Sequence, residues 1–562
     1  MLTTSKHPAP PACGGNWAEY RRTGGAGTPG FGFADGHIWA VHTAWSGNHR
    51  HYAEQVFTGE QLIGGGELLW PGEVQLGQGE TYHSPWLYAA HGVGLDAVAH
   101  RFHRHVRSRA GNVSADRPVT LNVWEAVYFD HDLGHLTELA ERAAALGVER
   151  FVLDDGWFGS RRDDTSGLGD WVVSEDVWPD GLHPLVNRVR RLGMQFGLWF
   201  EPEMISPDSD LARAHPDWIM SARAHLPLEA RNQQVLNLTV PAAYEHIRSR
   251  ILALLDEYPI DYIKWDHNRD LIEAGSQHDE GRPAVHAQTR AFYRLLDDVR
   301  AAHPGLEIES CSSGGARVDL EVLERTDRVW ASDNIDPHDR QSVLRWTTQL
   351  LPPEYIGSHI ASGRSHVTGR HHDLAFRAAT AVFGHLGIEW DLTRATDEEL
   401  DALRRWLAYY KNERHLLLAG TLVRIDTPDT RVSAHGVVND DRSRAIFAVA
   451  TLDSSYPDPP ARLKLRGLDA SRAYRIRPVF PGPTPSGLIP PLWWGQGHQD
   501  GTVFTGAPSH ARPRDHVSFD GAVLSGQVLQ QVGVAMPRLH PDQSVIYHVD
   551  HCAPTGHPGQ RR

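Results

Sequence analysis

The feature that most constrains the fold is an alternation of apolar strands and amphipathic helices, repeated eight times between residues 120 and 410. Helical segments show apolar residues at positions such as Leu182, Leu185, Val186 and Val189, and the first and last predicted helices are Leu133–Leu146 and Glu398–Tyr410. Eight such units match a (β/α)8 barrel in count and size, and a doubly wound sheet is the alternative. The predicted strands are Thr120–Phe129, Arg150–Asp155, Gln195–Glu201, Asp261–Asp266, Leu306–Ser310, Val329–Asp333, Glu354–His359 and Gly387–Asp391.

The carboxyl ends of these strands favour the barrel over the open sheet. Nearly every predicted strand ends in an acidic, Trp, Cys or His residue. Barrel enzymes form their active sites at this edge from several strands, whereas an open sheet concentrates its site at one switch point. We therefore expect a catalytic barrel.

The regions on either side of the barrel carry short strand signals and turn residues. The predicted fold class is α/β, with a central (β/α)8 barrel between a truncated N-terminal β-sandwich part and a C-terminal antiparallel β domain. The expected boundaries are an irregular start over 1–30, a partial sandwich and linker over 31–118, the barrel over 119–415, the C-terminal β-sandwich over 416–550 and a tail over 551–562.

Composition excludes several classes of function. The net charge is -15 and no basic stripe is present, so nucleic acid is not an expected partner. No apolar run approaches the roughly 18 residues of a membrane span, and we expect no membrane association. The three cysteines are far apart, and the first residues lack the apolar core of a signal peptide. These features predict a cytoplasmic protein.

Two aspartates at strand ends are the candidate catalytic pair. Asp266 closes the fourth predicted strand and Asp333 the sixth, so both face one barrel mouth. Glycoside hydrolysis needs two carboxyl groups, one ionised and one with a raised pKa. Lys264 lies two residues before Asp266, on the same side of the strand, and its charge favours an ionised Asp266.

Further polar and glycine residues surround this pair in the predicted barrel mouth. Asp154 and Asp155 are adjacent acids that need a ligand or donors, and sugar hydroxyls are suitable donors. Gly314 belongs to a glycine run that allows a ligand to approach the backbone. Cys311, just before it, has the alternative of being a small buried hydrophobe.

The motifs taken together resemble glycoside hydrolase family 36, the bacterial α-galactosidases. Their order along six strands makes the resemblance specific, and it covers about Phe31 to Val549. The motifs are Trp124-Glu-Ala-Val-Tyr-Phe-Asp, Leu153-Asp-Asp-Gly-Trp-Phe-Gly, Trp199-Phe-Glu-Pro-Glu-Met, Arg231-Asn-Gln, Lys264-Trp-Asp-His-Asn-Arg, Glu309-Ser-Cys-Ser-Ser-Gly-Gly and Ser332-Asp-Asn.

The resemblance implies a retaining α-galactosidase that acts on melibiose- or raffinose-type oligosaccharides without metal or organic cofactor. Asp266 would be the nucleophile and Asp333 the acid/base. The implied substrate-binding residues are Trp124 and Trp199 as apolar walls, Asp154 and Asp155 at the 4- and 6-hydroxyls, Arg231 and Lys264 at the sugar or nucleophile, Cys311 and Gly314 at the 2-hydroxyl, and Trp265, His267 and Asn268 beside the nucleophile.

The chain also departs from the family pattern. The family's Leu-Asp-Leu after Arg-Asn-Gln is Leu236-Asn-Leu here, and only 123 residues precede Trp124, where family members carry a long β-sandwich. That sandwich helps to build family oligomers. A homo-oligomer is therefore implied by the resemblance but left open by the short N-terminal part.

Other functions remain as alternatives. α-N-Acetylgalactosaminidase or galactosyl transferase activity would fit the same family. A different class is an enolase-like metal enzyme that uses Asp154, Asp155, Glu201, Glu203 and Asp266 as ligands and Lys264 as base. A non-catalytic galactoside-binding protein is a third. The histidine clusters at 100–105 and 366–372 are interpreted as solvated surface.

Overall fold

The computed structural model describes residues 24–109, 111, 113–223, 225–454, 461–499, 502–504 and 517–552. Within these residues, eight parallel strands close into a barrel in sequence order, which confirms the predicted fold class. The barrel strands 1 to 8 are Thr120–Asn122, Arg150–Leu153, Gln195–Phe200, Tyr262–Trp265, Glu307–Ser310, Arg328–Trp330, Ile356–Ala361 and His385–Glu389.

Helices pack around the outside of the barrel, as the apolar periodicity predicts. Their buried faces carry aliphatic residues such as Leu185, Val186 and Val189, which join the same hydrophobic core as the strands. The fifth unit has only a 3-10 turn, Val322–Glu324, between strands 5 and 6. The helices are Leu133–Leu146, His183–Arg191, Pro241–Glu257, Val285–Ala302, Pro337–Thr347, Leu374–Ala381 and Asp397–Ala419.

The first barrel strand is shorter than the sequence indicated. It ends at Asn122, and Trp124–Val127 forms one helical turn instead of continuing the strand. Tyr128 then adopts φ 49°, a left-handed conformation that a strand cannot accommodate. Residues 124–129, which the prediction included in the strand, thus follow it at the barrel mouth.

The N-terminal part consists of small antiparallel sheets and one helix. Gly24–Gly27, His37–Thr43 and Leu87–Val93 form a three-stranded sheet, and His49–Gln55 pairs with Gln61–Glu67. Regular structure therefore begins inside the expected irregular start, where glycines with low strand propensity pair with the next strand. Residues 1–23 of that start lie outside the described residues.

The C-terminal part is built on a six-stranded antiparallel sheet. Small additional pairs and the helix Gly526–Gln531 complete it. In spatial order the sheet strands are Thr421–Ile425, Val432–Val438, Arg444–Thr451, Gln543–Cys552, Ala473–Val479 and Ala522–Ser525; the smaller pairings join Arg462–Leu463 to Val534–Ala535, and Thr502–Phe504 and Val517–Phe519 to Gly497–Gln499. Of the expected tail 551–562, residues 553–562 lie outside the described residues.

The helix Leu95–Arg107 connects all three parts. Asp96 accepts hydrogen bonds from the side chain and backbone amide of Arg424 at 2.8 and 2.9 Å, and both side chains are buried. Arg107 forms a bidentate ion pair with Glu354 at the start of barrel strand 7. The N-terminal helix is thus fixed to the barrel and to the C-terminal sheet.

The prediction that the histidine clusters are solvated surface is wrong for two members. His103 is 3% exposed and contacts the Thr348 carbonyl oxygen at 2.8 Å, because the helix Leu95–Arg107 turns it inward. His372 is also buried, and it contacts Asp542 of the C-terminal part at 3.2 Å. In the described parts of the chain, no helix has the length and apolar character required to cross a bilayer.

Candidate active site

Asp266 lies at the centre of the barrel mouth, one residue after barrel strand 4. Its backbone amide donates to the Phe200 carbonyl oxygen at 2.8 Å, which fixes it to the end of strand 3. The side chain is 7% exposed. The parallel pairing of strands 3 and 4 therefore sets the position of the candidate nucleophile.

Hydrogen bonds from three sides hold the Asp266 carboxylate. Oδ2 accepts from Asn268 Nδ2 at 2.8 Å and from Trp199 Nε1 at 3.2 Å, and Oδ1 accepts from the His267 amide at 2.8 Å. Burial favours the neutral acid, but the charge of Lys264 and these donors outweigh it, so the pKa of Asp266 is lowered. The group stays ionised, as a nucleophile requires.

Lys264 lies on the same side of strand 4 and forms a direct ion pair with Asp154. Nζ is 2.9 Å from Asp154 Oδ2, which also accepts from Asn122 at 2.6 Å. The sequence predicted that Lys264 would be the neighbour of Asp266, whereas in the structure its ion-pair partner is Asp154. Its charge still lowers the pKa of Asp266 across the pocket.

Replacement of Lys264 by Met is expected to shift the acid limb of activity to higher pH. Activity requires ionised Asp266; Lys264 lowers the pKa of that group, so its loss raises the pKa and activity begins to fall at a higher pH. Asp154 would also remain buried without its cation, at a cost of about 3–5 kcal/mol. A pH–rate profile and thermal unfolding measure the two effects. The control is Lys411→Met, which breaks a partly exposed ion pair with Glu149. An acid limb of Lys264→Met at the same pH as in wild type would contradict the role of Lys264.

Asp155 has a partner that the sequence did not reveal. Arg161 contacts both of its carboxylate oxygens, at 3.1 Å from Nε to Oδ1 and 2.8 Å from Nη2 to Oδ2. The repulsion expected between Asp154 and Asp155 is therefore relieved by two different cations, Lys264 and Arg161. Both acids keep lone pairs for further donors.

Asp333 follows barrel strand 6 and presents its carboxyl group to the open pocket. The side chain is exposed at the pocket surface, while Oδ1 accepts from Trp330 Nε1 at 2.9 Å. Restricted hydration between the pocket walls and the negative charge of Asp266 raise the pKa of Asp333 to about 6, against the opposing charge of Lys264. The pKa values of the two strand-end acids are thus shifted in opposite directions, as the division of roles in glycoside hydrolysis requires.

Gly314 allows the loop after strand 5 to pack against the backbone that carries Asp333. It has φ +80°, and a Cβ atom there would lie 2.6 Å from the Asp333 nitrogen and 2.7 Å from the Ser332 Cα. No other residue fits this contact without displacing Asp333. The glycine is required by the site geometry itself.

Gly314→Ala is therefore expected to lower kcat by a factor of ten or more. The added methyl group would push the acid/base away from its position, and a left-handed alanine costs on the order of 1–3 kcal/mol. Steady-state kinetics and thermal unfolding measure this. Gly305→Ala is the matched control, because a Cβ atom there meets nothing within 4 Å. Near-normal activity of Gly314→Ala would contradict the packing argument.

The remaining predicted residues differ in their exposure and in how they contact Asp266. Cys311 is buried and donates to Asp266. Trp124 is partly exposed at the mouth, and Arg231 is exposed in a left-handed turn at φ 53°. His267 contributes its backbone amide to Asp266, whereas its ring contacts Ser312.

Trp265 lies on the outer side of strand 4. It is 1% exposed, packs against Phe292 of the helix Val285–Ala302 and donates to Glu203 at 3.2 Å. Neighbouring residues in a strand point to opposite faces, so a residue between Lys264 and Asp266 faces the helices. The structure therefore does not bring Trp265 to the pocket.

Two buried acids complete the surroundings of the pair. Glu201, one residue after strand 3, accepts from Gln233 Nε2 at 2.8 Å and from the Asn268 amide. Glu389, at the end of strand 8, contacts His359 Nδ1 at 2.8 Å. Glu201 and Gln233 stand in motifs that the sequence singled out, but nothing in their spacing revealed that they meet.

The metal-enzyme alternative finds little support in the donor set. Of its five candidate ligands, Asp154, Asp155 and Glu203 are each ion-paired with Lys or Arg. Among the described residues, no group of three or more His, Cys, Asp or Glu side chains is arranged to hold a metal ion. Three of the five candidate ligands thus already have a cation partner.

Family models match three consecutive parts of the chain. The melibiase model matches residues 81–420, the glycosyl hydrolase family 36 N-terminal domain 25–77 and its C-terminal domain 432–549. The chain is 48% identical over 456 residues to an α-galactosidase of Escherichia coli, across 81% of this chain and 64% of that enzyme. It is 36% identical to α-galactosidase AgaA of Geobacillus stearothermophilus, across 71% of this chain and 56% of that enzyme. The chain thus spans less than two thirds of these relatives.

Solved structures agree with this similarity. The crystal structure of AgaA superimposes with a TM-score of 0.83 and 31% identity, covering 94% of this chain and 69% of AgaA. Variants of AgaA have been crystallised with raffinose and with stachyose, and each superimposes with a TM-score of 0.83 at 30% identity. The likeness extends over the barrel and both flanking parts.

Proposed function

This chain belongs to glycoside hydrolase family 36, and from that premise we propose that it is a retaining α-galactosidase. The observation that carries the proposal is the pair of strand-end acids whose pKa values are shifted in opposite directions. Asp266 is held ionised by hydrogen bonds and Lys264, while the pKa of Asp333 is raised to about 6. These shifts support the assignment of Asp266 as the nucleophile and Asp333 as the proton donor.

The proposed reaction runs in two displacements. Asp266 attacks the anomeric carbon as the bond to the leaving oxygen breaks, and Asp333 gives its proton to that oxygen. Water then gives a proton to the ionised Asp333 and attacks the galactosyl-enzyme ester, which restores Asp266 as a carboxylate. Two inversions leave the α configuration unchanged.

The proposed substrates are terminal α-D-galactosides of the raffinose type. AgaA variants bind raffinose and stachyose, and the site here offers matching hydroxyl acceptors in Asp154 and Asp155. In this proposal Trp124 and Trp199 provide apolar walls, Arg231 and Lys264 provide donors, and Cys311 and Gly314 are assigned to the 2-hydroxyl. The buried Cys311 favours a plain hydroxyl over the bulkier acetamide of an N-acetyl sugar.

The test is hydrolysis of aryl α-galactoside, melibiose and raffinose by the wild-type chain. NMR of the first-formed sugar should show α-galactose, and a first-formed β-anomer would refute retention. The aryl α-N-acetylgalactosaminide serves as the discriminating substrate within the family. Absence of cleavage with retained galactoside binding would instead support a binding protein.

We also propose that the chain self-associates and works in the cytoplasm. The N-terminal part exposes large aromatic side chains, with Trp86 72% and Trp70 54% exposed, which is typical of interaction surfaces. The free, buried Cys311 fits a reducing compartment. The proposed catalytic barrel begins at 119 as expected and ends at 419 instead of 415, because its last helix is Asp397–Ala419.

A further inference from the structure

Glu201 is a buried carboxyl group beside the candidate nucleophile that lacks a cation partner. It is 0% exposed. Its Oε1 accepts from Gln233 Nε2 at 2.8 Å and from the Asn268 amide at 2.5 Å. Its Oε2 is buried and has no hydrogen-bond partner in the described part of the chain.

Four other buried acids around the barrel interior are paired differently. Each lies within 4.0 Å of an arginine or lysine nitrogen, whereas no such cation lies that close to Glu201 among the described residues. An ionised carboxylate buried without a cation is costly, and such a group usually takes up a proton. The paired acids are Asp154 with Lys264, Asp155 with Arg161, Glu203 with Arg317 and Glu309 with Arg328.

The hydrogen bonds of Glu201 place it at a junction of the active site. Asn268, whose amide it accepts, donates its side chain to Asp266 Oδ2 at 2.8 Å. Gln233, the other donor, belongs to the Arg231-Asn-Gln233 motif. One carboxyl oxygen therefore joins the loop that holds the nucleophile to the loop that carries Arg231.

We propose that Glu201 is a positioning residue that works as a neutral carboxylic acid, in the reaction proposed above. As the neutral acid it holds Asn268 and Gln233 through Oε1 without adding a second negative charge next to Asp266. An ionised Glu201 would instead raise the pKa of Asp266 and repel it.

The charges around Glu201 agree with this assignment. The groups that face it are Asp266 on the neighbouring strand, Arg231 in the 230–233 loop and Arg161 after strand 2. Burial and the charge of Asp266 raise the pKa of Glu201 to about 8, against the two arginines and the Asn268 donor. At neutral pH the neutral form therefore predominates.

Thermal unfolding of Glu201→Gln and wild-type protein between pH 5 and 8 tests the protonation state without any activity measurement. The folded wild type retains a proton that the unfolded chain loses above about pH 4.5, so its stability falls as pH rises towards 8. Glutamine has no titratable proton, so its contribution to stability does not change over this pH range. The Tm of Glu201→Gln minus that of wild type should therefore increase by several degrees between pH 5 and pH 8. A pH-independent difference would overturn the proposal.

Glu203→Gln is the matched control, since Glu203 is equally buried two residues away but paired with Arg317 at 2.6 Å. Its pKa is lowered, because Arg317 and His267 outweigh its burial, so Glu203 is already ionised in both states at pH 5–8. Glu203→Gln should lower Tm by a similar amount throughout this range. A Tm difference that changes with pH in the same way as that of Glu201→Gln would show that the signal is not specific to Glu201.

Kinetics on an aryl α-galactoside test the positioning role. Glu201→Ala removes the acceptor and should lower kcat at least tenfold, with a smaller change in KM, because Asn268 no longer fixes Asp266. Glu201→Gln keeps the acceptor and should restore kcat to within about threefold of wild type. Equal losses in both variants would show that the negative charge is needed and would overturn the proposal. If wild type does not cleave the substrate, the proposed function fails, while the Tm comparison still decides the protonation state.

Discussion

Asp266→Ala is expected to reduce turnover of an aryl α-galactoside by on the order of 10⁴-fold or more, and azide should then restore product formation. Alanine removes the group that attacks the anomeric carbon and leaves space at the end of strand 4. Azide can enter this space and attack from the same face, which gives a β-galactosyl azide. Steady-state rates with and without azide, and NMR of the product, measure the effect.

The control for this experiment is an acid remote from the pocket. Asp256→Ala changes an exposed residue near the end of the helix Pro241–Glu257 and should retain wild-type rates. Near-normal activity of Asp266→Ala would remove Asp266 from the mechanism. Rescue that yields the α-azide would instead assign the nucleophile to another residue.

Asp333→Ala should show a loss that depends on the leaving group. Raffinose needs a proton on its leaving oxygen and should react on the order of 10²–10⁴-fold more slowly. An aryl galactoside with an acidic phenol leaves without help, so its first step should be nearly unimpaired. Azide then attacks the intermediate without a base and gives the α-galactosyl azide, the opposite anomer to that of Asp266→Ala.

The pH profile gives a second readout for Asp333. The acid must be protonated in the free enzyme, so kcat/KM of wild type should fall as pH rises through about 6, the pKa to which restricted hydration and the charge of Asp266 raise this group. Asp333→Ala should lose this alkaline limb. A limb that persists in the variant belongs to another group, and equal losses for good and poor leaving groups would contradict the acid/base role.

The barrel could be predicted because each unit carries its own local signals. The helix Leu133–Leu146 has the predicted bounds, since Asp132 caps its first turn and Gly147 ends it with φ 95°. The last helix was predicted to end at Tyr410 but continues to Ala419. Its last turn buries Leu416 to Leu418 next to the C-terminal sheet, so this turn lacks the polar face that marks a surface helix.

The sequence could predict which strand-end residues form the candidate site, but not which side chains pair with one another there. Asp266 and Asp333 could be recognised because barrel topology alone brings strand ends together. Arg161 and Asn122 are partners of the adjacent acids that no spacing rule identifies, since loop conformation decides which side chain reaches which. The position of Trp265, by contrast, follows from strand alternation and could have been assigned to the outer face.

The buried contact between Asp96 and Arg424 has a consequence for how the chain folds. The two residues are 328 positions apart, and the entire barrel lies between them. Contacts of such long sequence separation form late, because the chain must first lose the entropy of a long loop. During synthesis the helix Leu95–Arg107 emerges early yet cannot bury its acid until the C-terminal sheet has begun to form. Its apolar face packs earlier, with the N-terminal sheet and the barrel, so it is the charged end of the helix that must stay solvated until the last part of the molecule arrives.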